Sequence, residues 1–183
     1  MRNRRLVLVY LTVLTVLISA LQGCIPGLID DRRTSATQIE DSGIERKIGN
    51  RIEEKFGTEV HYDVVSFNRY VVLMGEVPNQ QAKDEIGALA LGVQNVRNVQ
   101  NEMVIGPPTS SGTHANDAYL TSKVKTRLAT ASKVSPARIK VVTEDSVVYL
   151  LGLVTHKEAD EAAEIASTTG GVRKVVKVFE YTE

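Results

Sequence analysis

This chain of 183 residues contains one apolar segment twice. Residues 71–77 read Val-Val-Leu-Met-Gly-Glu-Val, and residues 148–154 read Val-Tyr-Leu-Leu-Gly-Leu-Val, at an offset of 77. Two further matches lie on either side at an offset of 76: they pair residues 47–52 with 123–128, and residues 96–99 with 172–175. Three matches in the same order indicate two copies of one structural unit.

The first element of each copy is a predicted amphipathic helix. Apolar side chains recur at every fourth position, which places them on one helix face. They are Ile44, Ile48, Ile52 and Phe56 in the first copy and Leu120, Val124 and Leu128 in the second. Two β-rich runs then follow in each copy, over residues 60–67 and 70–77 and over residues 138–144 and 147–154. The short polar turn between the runs predicts a β-hairpin in each copy.

A second helix and a third strand complete each copy. The second helices are predicted to begin near Pro78 and near Thr155, where Thr155 and Glu158 have the spacing of a capping box. Residues 96–105 and 172–181 form the closing strands. The predicted fold class is therefore α+β: two tandem α-β-β-α-β sandwiches, each with two helices packed on a three-stranded mixed sheet.

In length, element order and motifs, this unit resembles the BON domain. Both copies contain the central Val-x-Leu-x-Gly-x-Val, and residues 171–175 contain a late Gly-Val-x-x-Val. In the first copy, Asn95 stands in place of the glycine of the late motif. The resemblance implies the same sandwich for both copies.

The N-terminal residues have the pattern of a bacterial export signal. Basic residues 1–5 precede sixteen uncharged residues, 6–21, fewer than the roughly twenty of a membrane-spanning helix. The following Leu-Gln-Gly-Cys resembles a lipobox, which implies cleavage before Cys24 and acylation of its sulfur and its new amine. Ile25 after the cysteine, rather than Asp, favours the outer membrane by analogy with lipoprotein sorting. The alternative is an uncleaved anchor helix in which the Cys24 thiol is inert.

These features divide the chain into five predicted segments. Residues 1–23 are the lipoprotein signal peptide, 24–43 the lipidated N-terminus and polar tether, and 44–105 the first BON-like domain. Residues 106–115 are a linker rich in Gly, Pro and Ser, and 116–183 are the second BON-like domain. The combination resembles the outer-membrane lipoproteins of Gram-negative bacteria that have two BON domains. It implies a lipid-anchored, periplasm-facing protein, enriched at the division site, that binds phospholipid and maintains outer-membrane integrity, with no transmembrane helix in the mature protein.

The charges are balanced overall but not locally. The chain has 22 Lys and Arg against 22 Asp and Glu, which excludes the cationic excess of general nucleic-acid-binding proteins. Residues 117–140, however, contain six basic side chains and only one acidic side chain, Asp117. Tyr119, Lys123 and Arg127 form a stripe beside the apolar face of the predicted helix, and Lys133 follows them.

These four residues are the candidate binding site for an anionic phospholipid such as phosphatidylglycerol or cardiolipin. Tyrosine suits a membrane interface, and each cation near an anionic bilayer gains about 1 kcal/mol. The resemblance also implies lipid binding here, at an aromatic residue in an Asn-Asp-x-aromatic context. In this chain that context is residues 116–119, with Tyr119 in place of the family's Trp. The alternative is a tethered periplasmic adaptor whose first domain binds an envelope protein or peptidoglycan.

No catalytic motif is evident, and we expect no enzyme activity, no cofactor and no metal site. His61 and Asp63 share a strand face, so they are either a base with its orienting carboxylate or, more commonly, a solvent-facing polar pair. The acidic residues that begin the second helix of the second copy are expected to be solvated and to favour the helix dipole. Gly75 and Gly152 are expected to allow close packing.

Overall fold

The computed structural model describes residues 30–108 and 110–183, which form two α-β-β-α-β units. The first unit consists of α1 (Ser35–Phe56), β1 (His61–Phe67), β2 (Tyr70–Val77), α2 (Gln80–Leu91), β3 (Asn98–Asn101) and β4 (Val104–Ile105). The second consists of α3 (Ser111–Thr130), a 3-10 turn (Pro136–Arg138), β5 (Ile139–Glu144), β6 (Val147–Val154), α4 (His156–Ser167) and β7 (Lys174–Tyr181). The predicted α+β class and the duplication are confirmed.

The repeated apolar segments form the central strand of each sheet. In the first unit, β2 pairs antiparallel with β1 and parallel with both β3 and β4, which together replace a single predicted strand. In the second unit, β6 pairs antiparallel with β5 and parallel with β7. Both hairpins turn through two residues with positive φ, Asn68 and Arg69 at 52° and 66°, and Asp145 and Ser146 at 44° and 61°. Two consecutive positive φ values define the type I′ turn, whose twist matches that of the strands it joins.

The first helix of each unit begins earlier than the sequence pattern predicts. Helix α1 begins at Ser35, inside the predicted tether, and the Thr34 side chain caps it by accepting a hydrogen bond from the Thr37 N–H. Helix α3 begins at Ser111, inside the predicted linker, and the Ser110 side chain caps it in the same way. Polar residues that looked like linker therefore serve as N-caps and first helical turns, where Ser and Thr are preferred.

Three apolar clusters hold the described residues together. One lies between α1, α2 and the first sheet, and the second lies between α3, α4 and the second sheet. The third contains side chains of both sheets: Val65, Phe67, Val72, Met74, Tyr149, Leu151 and Val178. The two sheets thus pack back to back with the helices outside, an α/β/β/α arrangement in which both faces of each sheet are covered.

Polar contacts surround the cluster between the sheets. Lys140 Nζ donates to Glu45 Oε1 at 2.7 Å, and Arg97 Nη1 donates to Glu180 Oε2 at 2.8 Å. The segment before α1 also joins the units, because Arg32 binds Glu158 of α4 at 2.8 Å while the guanidinium of Arg33 stacks on Phe67 at 3.7 Å. Within the described residues, no helix has the length and apolar composition needed to cross a bilayer.

Candidate functional site

Helix α3 presents three of the four predicted lipid-binding residues, Tyr119, Lys123 and Arg127, and Lys133 lies in the segment that follows it. Leu120, Val124 and Leu128 are at most 1% exposed and attach the helix to its sheet. Tyr119 lies next to this buried face and is 62% exposed, so its ring is available to an external surface.

The three predicted cations lie in a row along helix α4, which runs beside α3. Lys123 Nζ donates to Gly170 O at 2.9 Å, just beyond the C-terminal end of α4. Arg127 reaches the last turn, where its guanidinium donates to Ile165 O at 2.7 Å and to Thr169 Oγ1 at 2.6 Å. Lys133 Nζ lies 3.3 Å from Glu161 Oε2, farther toward the middle of α4. We call Tyr119, Lys123, Arg127 and Lys133 the α3–α4 face.

The α3–α4 face keeps most of its positive charge. Lys123 and Arg127 donate to carbonyl and hydroxyl oxygens, which satisfy their N–H groups without cancelling the charge, whereas Lys133 is paired with a carboxylate. Lys123 Nζ also lies 5.7 Å from the centroid of the Tyr119 ring, within the range of a cation–π contact. An aromatic ring beside two uncompensated cations can receive an anionic group that lies against an apolar layer.

The structure gives Arg127 a second role that the sequence pattern does not reveal. Its guanidinium satisfies backbone and side-chain oxygens at the C-terminal end of α4, where a cation also favours the helix dipole. We expect Arg127→Ala to lower the free energy of unfolding by about 1–3 kcal/mol, since bonds to a charged donor are lost. Urea denaturation followed by circular dichroism measures the change. The exposed Lys125 on the same helix is the control, and equal effects of Arg127→Ala and Lys125→Ala would contradict the capping role.

Two other basic residues of the region 117–140 do not belong to the site. Arg138 pairs with Asp30 and Glu158, and Lys140 pairs with Glu45 across the domain junction. The local excess of positive charge seen in the sequence is therefore divided among the α3–α4 face, two structural ion-pair residues and the exposed Lys125.

Sequence reasoning missed a pair of buried carboxylates that hold the hairpins. Asp117 is 4% exposed and accepts the N–H groups of Asp145 and Ser146 at 2.9 and 2.8 Å. Its counterpart at an offset of 76, Asp41, accepts the N–H groups of Asn68 and Arg69. The aspartate of the Asn-Asp-x-aromatic context thus fixes the turn beside α3 in place. The repeat comparison contained this signal, because the two aspartates match at the same offset as the other pairs.

The face of α1 equivalent to the α3–α4 face has a different composition. Gly43 occupies the position of Tyr119, and Lys47 occupies that of Lys123. One turn earlier, Ile39 is 75% exposed, a feature missed because the helix was predicted to begin at residue 44. The first domain therefore presents an aliphatic side chain near cations, but no exposed aromatic residue at this position.

His61 and Asp63 do not form the predicted solvent-facing pair. Both lie on the face of β1 that meets the second domain, next to Val65 and Phe67 in the same strand. Burial raises the pKa of the Asp63 carboxyl. His61 Nδ1 lies 3.0 Å from Glu76 Oε2 and 3.6 Å from Glu144 Oε1, so its partners are glutamates. Together with His114, His61 and Glu144 form the one group of side chains among the described residues with the composition and spacing of a metal site.

The acidic start of α4 is also less solvated than expected. The predicted capping box of Thr155 and Glu158 is confirmed, but Glu158 is 8% exposed and pairs with Arg32 and Arg138. Burial opposes its ionisation, yet hydrogen bonds from the Thr155 N–H and from both arginines outweigh that effect and lower the pKa of Glu158 to about 2. This carboxylate joins the segment before α1 to the second domain.

The glycine positions have the predicted packing roles. A side chain at Gly75 would place a Cβ atom 2.3 Å from His61 O, and one at Gly152 would place it 2.6 Å from Arg138 O. In the late motif, Gly171 has a φ of 104°, and Asn95 takes its place in the first unit with a φ of 71°. Asparagine tolerates the left-handed region better than most residues, which explains how the first unit keeps the same turn without glycine.

Cys24, the predicted lipid-attachment residue, and the signal peptide lie outside the described residues. Similar proteins give indirect information about this N-terminal segment. The chain is 39% identical over 175 residues to the outer membrane lipoprotein DolP of Haemophilus influenzae. This alignment covers 89% of this chain and 91% of that protein. It is 32% identical over 155 residues to the 21 kDa hemolysin of Actinobacillus pleuropneumoniae, with 84% and 80% covered. The similarity to an outer membrane lipoprotein along most of both chains supports the predicted lipid anchor and outer-membrane location.

A solved structure of CdsD, a structural protein of the type III secretion system of Chlamydia trachomatis, covers 75% of this chain and 92% of its own at 14% identity. Its TM-score of 0.31 is too low to bear on the fold. The BON domain, by contrast, matches residues 40–107 and 116–183, the same two regions in which the α-β-β-α-β units lie. The chain therefore belongs to the BON-domain family and contains two such domains.

Proposed function

We propose that this protein is a non-enzymatic outer-membrane lipoprotein, anchored through Cys24, that binds anionic phospholipid with the α3–α4 face of its second domain. Phosphatidylglycerol and cardiolipin are the ligands of matching chemistry, and the role is maintenance of outer-membrane integrity, with enrichment at the division site. The observation that carries the proposal is the exposed Tyr119 ring beside cations whose charge is not cancelled by carboxylates.

The α3–α4 face combines an aromatic ring with neighbouring cations, as contact with an anionic bilayer requires. The tyrosine ring is suited to the boundary between acyl chains and headgroups. Lys123 and Arg127 follow one and two turns later on the same side of the helix, so their charges can attract phosphate groups when the ring lies at the boundary. The first domain has no comparable arrangement at the equivalent positions of α1.

The position of the anchor is compatible with this contact. Asp30 binds Arg138, which also binds Glu158 at the start of α4, whereas Lys123 lies at the opposite end of that helix. Helix α4 has 12 residues and is about 18 Å long. Asp30 lies six positions after Cys24, a distance along the chain that spans at most about 20 Å. A bilayer that holds the acyl chains is thus within reach of the α3–α4 face.

Vesicle binding tests the proposal. We expect the soluble protein from Ile25 onward to bind vesicles containing phosphatidylglycerol or cardiolipin and to bind pure phosphatidylcholine vesicles much more weakly. Replacing Tyr119 with Ala and Lys123 with Glu together should reduce the affinity roughly tenfold or more, because an interfacial ring is lost and two units of charge change. Sedimentation with vesicles at two salt concentrations measures both effects.

The matched control is the equivalent face of the first domain. The double variant Ile39→Ser with Lys47→Glu makes the same charge change at the equivalent lysine of α1 and should leave vesicle binding within about twofold of the wild type, apart from general charge effects. The absence of any preference for anionic vesicles would refute the lipid site. Equal losses in the two double variants would show that binding has no specific face.

One observation favours the alternative of an adaptor that binds an envelope protein or peptidoglycan. Ile39 on α1 is 75% exposed, and Val104 and Ile105 of β4, the short segment at the edge of the first sheet, are each 55% exposed. Exposed apolar side chains are typical of surfaces that bind another chain, and Val104 and Ile105 also lie at an open strand edge. Crosslinking in cells distinguishes the two functions: the adaptor requires one stoichiometric partner that is lost when these residues are replaced.

A further inference from the structure

Two of the three histidines of this protein meet at the junction of its two domains. His61 begins β1 of the first domain, and His114 lies in the first turn of α3 of the second. Their ring centroids are 4.8 Å apart. Glu144, the last residue of β5, completes the group, and the three side chains offer ligand atoms that all lie within 4.8 Å of one another. Neither domain alone contains this group.

A fourth side chain holds His61 in place. Glu76 is 3% exposed, and its Oε2 lies 3.0 Å from His61 Nδ1, so it accepts the proton when that nitrogen carries one. A carboxylate bound to one ring nitrogen fixes the ring orientation and makes the other nitrogen a better ligand, the arrangement found around metal-bound histidines. The residue that orients His61 thus belongs to the same domain and lies opposite it on the neighbouring strand β2.

One carboxylate oxygen of Glu144 is buried without a hydrogen-bond donor among the described residues. Its side chain is 12% exposed, and no group in the described part of the chain donates a hydrogen bond to the buried Oε1 atom. The carboxylates of Glu76, Asp117 and Asp63 are close enough to Glu144 to repel its negative charge. A buried carboxylate among other acidic groups is costly without a cation.

We propose that His61, His114 and Glu144 bind one divalent transition-metal ion at the domain junction, with Glu76 orienting the His61 ring. Two imidazoles and one carboxylate, with a water molecule as the fourth ligand, suit Zn²⁺ better than Ca²⁺ or Mg²⁺, which prefer all-oxygen sites. Ligand atoms about 2.1 Å from a tetrahedral ion are roughly 3.4 Å apart, so the most distant pair must approach by more than 1 Å. The exposed His114 side chain at the end of its helix allows this adjustment.

The ion would couple the two domains. Its ligands come from β1 on one side and from β5 and α3 on the other, so bound metal stabilises the packed arrangement of the sheets over a separated one. It would also fix the first turn of α3 against the first domain. Tyr119 lies on the same helix, so occupancy of the site would restrict the orientation of the α3–α4 face relative to the first domain.

Calorimetric titration of the full chain with Zn²⁺ tests the proposal. The protein is purified in mild detergent without a histidine tag and is stripped with a chelator beforehand. We expect one Zn²⁺ per chain and a rise in melting temperature of roughly 5–10 °C at a hundredfold excess over the dissociation constant. His114→Gln and Glu144→Gln should each weaken Zn²⁺ binding at least tenfold, and circular dichroism should show that both variants are folded.

The third histidine is the matched control. His156 is exposed, begins α4 and stacks on Tyr181 with 4.0 Å between ring centroids, so His156→Gln should leave the affinity and stoichiometry unchanged. The proposal is overturned if the wild type does not bind Zn²⁺ at micromolar concentration. It is also overturned if the double variant His61→Gln with His114→Gln binds as tightly as the wild type, or if His156→Gln removes the binding.

Discussion

Alanine substitutions at Met74 and Leu151 are expected to destabilise the protein in a coupled manner, although the two residues belong to different domains. Each is at most 1% exposed and lies in the apolar cluster between the sheets. Each single substitution should lower the free energy of unfolding by about 2–5 kcal/mol. The loss in the double variant should differ from the sum of the two single losses by about 0.5–3 kcal/mol, because residues that share a cluster interact.

The matched control is the preceding residue in each strand. Leu73 and Leu150 are equally buried but face the separate helix-covered cores of their own domains. Their alanine substitutions should be as costly individually and additive within about 0.5 kcal/mol. Urea denaturation of all six variants measures both cycles. Additive behaviour of Met74 and Leu151 would mean that the two sheets do not pack on each other in solution.

Replacing Asp41 with alanine is expected to be the most destabilising single change at a polar residue of the first domain. The carboxylate is 3% exposed and accepts hydrogen bonds from Ser66 Oγ, the Asn68 and Arg69 N–H groups and Arg33 Nη1 at 2.7–2.9 Å. Its loss leaves the Ser66 hydroxyl and two backbone N–H groups without their acceptor, and it removes one of the two carboxylates that bind Arg33. We expect a decrease of about 3–5 kcal/mol in the free energy of unfolding, measured by thermal or urea denaturation.

Two other substitutions serve as comparisons for this effect. Asp117→Ala removes the equivalent carboxylate of the second domain, which accepts two backbone N–H groups and should cost less, about 1–3 kcal/mol. Glu54→Ala changes an exposed carboxylate on the same helix as Asp41 and should stay within about 0.5 kcal/mol of the wild type. A similar small change for Asp41→Ala would contradict its role in holding the hairpin.

Much of the fold was predictable because its signals are local. Apolar residues at every fourth position predicted α1 and α3, the two-residue polar turns predicted the hairpins, and Thr155 with Glu158 predicted the start of α4. The first turns of α1 were missed because they have no apolar stripe. They are held instead by Thr34 and by the buried Asp41, a contact with a hairpin more than twenty residues away.

The sequence also contains a pattern that indicates the packing of the two sheets. Strands with one face in solvent alternate between apolar and polar residues, whereas residues 71–74 and 148–151 are apolar without interruption. Such runs indicate strands covered on both faces. They do not say what covers the second face, which in this protein is the other domain.

Part of the candidate site was also predictable from local spacing in the sequence. The spacing of Tyr119, Lys123 and Arg127 places them on one side of a helix, and the structure shows that Tyr119 is exposed there. That Arg127 caps α4 depends on a helix whose residues lie about forty positions later in the chain. Charge counting along the sequence cannot separate a cation that faces solvent from one that satisfies a neighbouring helix.

Spacing along the chain is thus sufficient for the duplication, the α+β class and the helix that contains the candidate lipid site, because helix and strand periods are properties of neighbouring residues. The docking of the two sheets depends on long-range packing. It places Lys140 in an ion pair with Glu45 and brings His61, His114 and Glu144 together. These residues lie in separate elements of two domains, and no local pattern encodes their meeting, since it results from burial of apolar surface on strands far apart in the chain.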